Sequence, residues 1–577
     1  MNFRGLLPVI PLVIFISIAS LLPIVYFLLN AFQTPAGEFT LREIRNVFSQ
    51  PAYLTSIWNT IEIALLVDLL ILALAYPVAL TIHLAQGWRR TVLLICVLLP
   101  FFTSVLVRTY AWSVVLGLEG PVNGALVATG ILDEPYLLGH STIGTVIGLV
   151  HILMPPAVLA IYTIMGRIDS DLMVTAKSLG AGNLRAFFTV FFPLSMPGIV
   201  LGGLLTFVMA LGAFVIPQLL GGVGNLMFGQ IIVLIATVSL DWNFASAMSL
   251  IFLILLAVPI YGLVRGGQFG DVSGEGRGDK PSRIARLLSR LLAPLGAIME
   301  RLTAPVLAWL DRVPASASAG LRIAVALAVV VFLIVPEALI VILSFGDPDY
   351  LSWPPTQLNG EAYALFFQQE PWVRALRQSV QFGVVTMIVS VLIGSVAAYG
   401  IVRGRFPGKS LIISLALVPL ILPEIVPAIA YYIAASAFGV SGTAAAIVAG
   451  QGVTATALVL LVMTAVFRSL KVDIEYAARA CGAGPVRGFV DVVIPLVWPS
   501  LIVASLFSFL NAFDNLLIPL FMGGRYQTLP VYMWLQMREA TSPMITVVAS
   551  IMILVVVLFG VLANFAQQLQ ARRLAQQ

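Results

Sequence analysis

Charge is what this chain has least of. Only 10% of its 577 residues are Asp, Glu, Lys or Arg, while 60% are hydrophobic; a soluble domain carries about 25% charged residues. That shortage excludes a water-facing surface over most of the chain. Cysteine is nearly absent as well. Cys96 and Cys481 stand alone, which excludes a disulfide framework and a thiolate metal cluster. The three histidines, His83, His140 and His151, are scattered without metal-ligand spacing, so they read as structural and no metal site is expected. No Ser-His-Asp set or glycine-rich nucleotide fold is visible, so no residue is a catalytic candidate.

One stretch imitates a phosphate-binding loop. "VRGRFPGKS", residues 402–410, ends in Gly-Lys-Ser. A complete loop needs G-x-x-x-x-G-K-[ST] between a strand and a helix. Here Arg403 holds the first glycine's place, Gly404 comes one position late, and an apolar run precedes the stretch. It reads as a short turn carrying basic residues, and the chain is expected to bind no ATP.

What the chain has instead is long apolar runs, each sufficient to cross a bilayer. Twelve such runs lie near 6–30, 57–84, 91–117, 141–166, 193–221 and 244–264, then 321–345, 378–402, 409–437, 441–467, 495–521 and 543–565. The first is too long for the apolar core of a signal peptide, about 7–15 residues, and no clear small-x-small cleavage site follows it. Basic residues set the orientation. Arg4, Arg89, Arg90, Arg167, Lys177, Arg185, Arg403, Arg405, Lys409, Arg468, Lys471, Arg479, Arg487, Arg572 and Arg573 fall on one side of this layout. Positive residues mark the cytoplasmic side, so both termini are expected there.

The chain also repeats itself. Residues 172–222, "LMVTAKSLGAGNLRAFFTVFFPLSMPGIVLGGLLTFVMALGAFVIPQLLGG", align without a gap to 474–524, "IEYAARACGAGPVRGFVDVVIPLVWPSLIVASLFSFLNAFDNLLIPLFMGG". The matches are not merely apolar: Ala176 with Ala478, Gly180 with Gly482, Arg185 with Arg487, Pro193 with Pro495 and Pro217 with Pro519. Internal repeats in a membrane chain indicate transporter architecture. Each repeat starts in the loop after the fourth run of its half. Six runs per half is an even number, so both loops face the same side. Each loop reads as a short helix, a Gly-Ala-Gly break, and a second short helix ending at a proline.

These loops resemble the EAA loops of binding-protein-dependent ABC importer permeases. The resemblance covers about four-fifths of the chain, leaving out the central linker. It implies an all-α membrane protein of twelve transmembrane helices, in two tandem six-span type I (MetI-like) importer permease domains, 1–266 and 321–577, joined by a cytoplasmic linker, 267–320. It further implies that Ala176, Gly180, Arg185 and Pro193, with Glu475, Ala478, Gly482, Arg487 and Pro495, form loops that couple to two cytoplasmic ATPase subunits. Those partners would bind ATP and Mg, this chain no cofactor, and a periplasmic or extracellular solute-binding protein would deliver the substrate. The surroundings are lipid of a bacterial inner membrane, and no nucleic-acid partner is implied. The sequence departs from the motif at its glutamate. Val174 and Tyr476 hold that place, and Glu475 lies one residue early.

Within the family the two halves resemble the paired permeases of spermidine/putrescine importers, through "LLPFFTSVLVRTYAW" (98–112) and "FSFLNAFDNLLIPLFMGG" (507–524) among other stretches. A cation path through lipid needs carboxylates and aromatic faces, and ionisable residues in spans default to functional candidates. Asp514, Asp68 and Glu424 are the carboxylate candidates; Tyr110, Trp112, Tyr431 and Tyr432 could face an ammonium. The alternative for each is a structural bond within the bundle. Arg108 lies on the same path and would repel a cation unless paired. Iron(III) or another small solute is the alternative cargo, and an ion-coupled twelve-span transporter the alternative class. In the linker, Arg283, Arg286 and Arg290 alternate with leucines at helical spacing, as in a basic amphipathic helix on a membrane surface.

Overall fold

The computed structural model describes residues 6–34, 36–265, 315–539 and 542–575. The linker helix expected around Arg283, Arg286 and Arg290 lies outside the described residues. Every named element is a helix. The first half holds α1 (Leu7–Phe32), α2 (Pro51–Leu84), α3 (Trp88–Phe102), α4 (Val105–Val115), α5 (Thr142–Met165), the short α6 (Asp171–Ser178), α7 (Asn183–Leu211) and α8 (Trp242–Tyr261). The second half repeats the order with α9 (Ala319–Leu343), α10 (Glu370–Arg403), α11 (Lys409–Ile421), α12 (Ile425–Ala437), α13 (Ala444–Ser469), the short α14 (Val472–Ala480), α15 (Val486–Phe513) and α16 (Pro543–Leu562).

Ten of these helices are long and apolar enough to span a bilayer unbroken, and the pairs α3–α4 and α11–α12 make two more, bent by 97° and 102°. The runs 91–117 and 409–437, expected to be continuous, are therefore each broken into two helices. Proline is the physical cause. Leu422, before Pro423, is extended at ψ 141, as the proline ring demands of its predecessor. In α3, Pro100 sits in the last turn, Thr103 is extended, and Ser104 Oγ caps α4 by accepting from Leu106 N at 3.2 Å.

Small residues set how closely the spans approach. A Cβ at Gly198 would lie 3.0 Å from Ile164, and one at Gly394 would lie 2.8 Å from Val459, so α7 packs tightly on α5 and α10 on α13. Each half builds on its fourth span: α5 and α13 are 72% buried, whereas α1 and α2 are 33% and 39% buried. Leu65, Leu66, Leu69 and Leu70 on α2 are exposed, an apolar surface suited to lipid.

The first span of each half crosses to the other. On α1, Val9, Leu12 and Ile16 share a buried cluster with Ala397, Ala398, Val459 and Phe467. Phe15 of α1 meets Gly452, and Tyr431 donates to Ser20 Oγ at 3.1 Å. In return α9 packs on α2, α3 and α4, with Leu333 O 3.1 Å from His151 Nε2. The two halves are thus stapled by exchange.

Candidate functional site

Two regions carry the residues singled out in the sequence. The first is the pair of repeat loops. Helix α6 ends at Gly180, φ +90, and α14 at Gly482, φ +86. Both ends are closed the same way. Ala181 N donates to Ala176 O at 3.1 Å and Ala483 N to Ala478 O at 3.0 Å, which satisfies carbonyls left open at a helix end. That left-handed position is why glycine stands there. A Cβ at either glycine would meet nothing within 4 Å, so space is not the constraint.

Beyond the turn the structure departs from expectation. The second short helix does not end at Pro193 or Pro495 but runs on as α7 and α15. A wide π turn, Phe187–Phe191 and Phe489–Val493, lies just before each proline. Proline lacks an N–H and crowds the preceding turn; one widened turn absorbs both defects without breaking the helix. Arg487 pairs with Asp491 at 3.2 Å, both exposed, and Arg185 sits in the last turn of the matching short helix. Leu179, Val174, Tyr476 and Val486 leave an apolar outer surface on these loops.

Glu475 is not on that surface. It is 6% exposed, accepts from Arg403 Nε at 2.7 Å and from Tyr399 OH at 2.8 Å, while Arg403 Nη2 donates to Leu470 O at 2.9 Å. The basic turn that imitated a phosphate loop thus anchors α14 to α10. Lys409 lies 5.4 Å over the Phe406 ring, and Gly408 at φ +83 starts α11, with no strand before it.

The second region is the meeting of the halves at the two broken spans. Gly212 and Asp514 occupy equivalent ends of α7 and α15. A Cβ at Gly212 would lie 3.2 Å from Pro423, at the α11–α12 break. Asp514 faces Ser104 and Val105, at the α3–α4 break, and interacts electrostatically with Arg108 and Glu424. Each half's fifth span therefore abuts the other half's break. Asp514 is half-buried and Glu424 exposed. Asp514 Oδ1 has no hydrogen-bond partner. Phe102 and Phe507 stack across the same interface, with ring centres 5.6 Å apart.

The other candidates are employed elsewhere. Asp68 Oδ1 accepts from Thr206 Oγ1 at 2.6 Å, joining α2 to α7. Trp112 packs on His151 and Phe332 at 5.6 and 5.2 Å, and Tyr432 on Trp242 at 5.4 Å. Tyr110 donates to Ser542 O at 3.1 Å and lines a cavity of about 450 Å³ with Glu119, His140, Leu220 and Trp353. This cavity lies at the end of the bundle away from the repeat loops. Among the described residues no three His, Cys, Asp or Glu side chains are grouped as metal ligands.

Glu337 is the residue the sequence reading missed. It sits on α9, 4% exposed, with His151 Nε2 3.8 Å from its Oε1. The signal was available: a carboxylate next to Pro336 inside an apolar run carries the burial cost that marks Asp514. Arg403–Glu475 was invisible, because nothing local joins residues 72 apart.

Comparison with known proteins agrees with this architecture. Residues 4–266 and 390–576 match the family described as binding-protein-dependent transport system inner membrane component. The spermidine/putrescine transport system permease protein PotB of Haemophilus influenzae is 35% identical over 226 residues, covering 39% of this chain and 79% of that protein. The inner membrane ABC transporter permease protein YdcU of Escherichia coli is 29% identical over 250 residues, covering 40% and 77%. A crystal structure of a bacterial ABC transporter involved in import of the acidic polysaccharide alginate overlaps 45% of this chain and 92% of its own, at 16% identity and a TM-score of 0.38. With matched halves spanning most of its length, the chain belongs to the binding-protein-dependent transport system inner membrane components and is the permease of an ABC importer.

Proposed function

We propose that this permease carries a polyamine-like cation through the gap between its halves, past Asp514 and Glu424. One observation carries the reading. Two carboxylates of the second half lie within electrostatic range of each other where that half meets the first, and neither is in a salt bridge among the described residues. Carboxylates held together away from bulk water favour a cation between them. An alkylammonium supplies that charge and hydrogen bonds to the free Asp514 Oδ1. The likeness to permeases named for spermidine and putrescine supports the same class. Iron(III) fits less well, since a metal needs more converging ligands than this pair offers.

Two ATPase subunits, binding ATP and Mg, dock on the loops around Gly180 and Gly482. Matched turns and exposed Leu179, Val174, Tyr476 and Val486 suit a two-fold partner. By the positive-inside rule these loops and both termini lie in the cytoplasm of a bacterial cell, and the binding protein docks at the opposite end. Closure of the ATPases draws the loops together and turns the gap outward; release resets it, as in alternating access.

The test is uptake of labelled putrescine and spermidine, with iron(III) in parallel, in cells lacking the chain and in cells complemented with wild type or Asp514→Asn. Deletion abolishes polyamine uptake. Asp514→Asn raises KM about 10- to 150-fold, the equivalent of one charge-assisted hydrogen bond of about 1.5–3 kcal/mol. Unchanged polyamine uptake in the deletion removes this cargo, and uptake that persists without any ATPase partner removes the coupling assignment.

A further inference from the structure

The first half carries a segment that its repeat lacks. Helix α4 ends at Val115 and α5 starts at Thr142, whereas α12 ends at Ala437 and α13 starts at Ala444. The second half makes the same connection without the extra length, so the fold does not need it. The segment is nevertheless tightly built. Asn123, fully buried in the short helix Pro121–Ala128, donates from Nδ2 to Gly117 O at 2.8 Å and to Tyr136 O at 2.9 Å. Its Oδ1 accepts from Tyr136 N at 3.0 Å. Gly139 N donates to Leu116 O at 3.2 Å. A satisfied buried amide of this kind rigidifies the chain around it. The two stretches it joins wall the cavity of about 450 Å³, and Trp353 and Met537 of the second half complete the wall.

His140 shows that the cavity is used. Its φ of +53 is left-handed, a conformation that crowds any residue with a Cβ. The internal repeat provides a control. Ser141 Oγ caps α5 by accepting from Gly144 N at 3.1 Å, and Thr443 Oγ1 caps α13 by accepting from Ala446 N at 3.2 Å. The residue before each cap is therefore equivalent: His140 in one half, Gly442 at φ +75 in the other. Glycine is what the turn asks for, yet the first half has histidine there, on the cavity wall. A residue held in a costly conformation points to a role for its side chain. The lining indicates the ligand. The volume falls within the range of small-molecule sites, about 300–1,000 Å³, and is too large for a bare metal ion. Among the described residues that line the cavity, Glu119 is the one carboxylate, and neither Lys nor Arg occurs. Trp353 offers an indole face, which attracts an ammonium. An imidazole nitrogen of His140 can accept a hydrogen bond. Ser113 Oγ already donates to Tyr110 O at 2.7 Å, which leaves it an acceptor. Acceptors and a ring with no fixed cation suit an amine and disfavour an anion.

We propose that this cavity is a receiving site for the cargo, which binds an alkylammonium end between Glu119 and Trp353 with His140 accepting a hydrogen bond from it. This rests on the cation reading above and places a second stop on the same route. Helix α4 begins at its Ser104 cap in the broken span, and the turn that follows it, Gly117 to Gly120, walls the cavity. A solute released at this end of the bundle meets the cavity first and the Asp514–Glu424 gap afterwards. Because both halves line the cavity, their relative movement changes its shape and passes the solute on.

The test reads the cavity directly. In full-length chain in nanodiscs, with Cys96 and Cys481 replaced by Ser, Leu137→Cys or Ser113→Cys places a thiol on the cavity wall. Putrescine slows its labelling by N-ethylmaleimide, while Asp133→Cys, exposed on the same segment but not on the wall, is labelled at an unchanged rate. E119Q and W353L each raise the putrescine concentration for half-protection about fivefold, the scale of one partly exposed charge or ring contact. H140G raises it about threefold, the scale of one neutral hydrogen bond, while the thermal midpoint holds or rises because glycine suits that turn. A structural role for His140 would instead lower the midpoint. No protection at either wall position, equal protection of Asp133→Cys, or protection that E119Q, W353L and H140G leave unmoved overturns the proposal. Two wall positions decide the matter if one variant fails to accumulate. Labelling reports the site and uptake reports the cargo, so the two readings fail separately. Polyamine uptake without protection removes the receiving site alone; protection without polyamine uptake removes the cargo reading alone.

Discussion

Replacing Glu475 by Gln should loosen one coupling loop and leave the other untouched. The carboxylate is 6% exposed and binds Arg403 Nε at 2.7 Å and Tyr399 OH at 2.8 Å. Gln keeps the volume and one acceptor but removes the charge. Breaking a buried pair by removing one partner costs about 3–5 kcal/mol, and a hydrogen bond to a charged group contributes about 1.5–3 kcal/mol. Arg403 retains its bond to Leu470 O and is 15% exposed, so the lower end applies and about 2–3 kcal/mol is lost. Amide hydrogen exchange in Val472–Ala480 should then accelerate about 30- to 150-fold under conditions where exchange follows the opening equilibrium. The equivalent helix Asp171–Ser178 carries no such carboxylate at its matching position, Met173, and serves as the reference within the same sample. A change below threefold in 472–480, or an equal change in 171–178, would refute the claim that this ion pair secures α14 to α10.

Gly180→Val and Gly482→Val each force a branched side chain into a left-handed turn, costing about 1–2 kcal/mol; with nothing within 4 Å to clash, the protein still accumulates in the membrane but polyamine uptake falls, which immunoblot and uptake together check. Thr206→Val removes the 2.6 Å bond to Asp68 and about 0.6–1.7 kcal/mol of helix association; thermal stability in detergent falls while putrescine KM stays at the wild-type value, and a KM rise would return Asp68 to the substrate path.

The membrane class, the number of crossings, the tandem repeat and the left-handed glycines of its loops were determined by the sequence alone. Each depends on local composition or spacing: apolar runs of bilayer length, basic residues in loops, and Gly180 and Gly482 at a helix end. Proline read correctly as a break but was misplaced. Pro193 and Pro495 were expected to stop a helix, yet a π turn one step earlier carries it through, and Pro423 cuts a span that looked continuous. The difference lies in whether neighbouring helices can satisfy the freed backbone groups, which packing decides. Only the tertiary structure decided the rest. It exchanged α1 and α9 between the halves, turned Glu475 inward onto Arg403, retained Asp68 for Thr206, and set Glu337 beside His151 and within electrostatic reach of Arg108. A charged side chain in an apolar run announces that it needs a partner; which partner it finds depends on helices that pack together from far apart in the chain, and no local pattern records that.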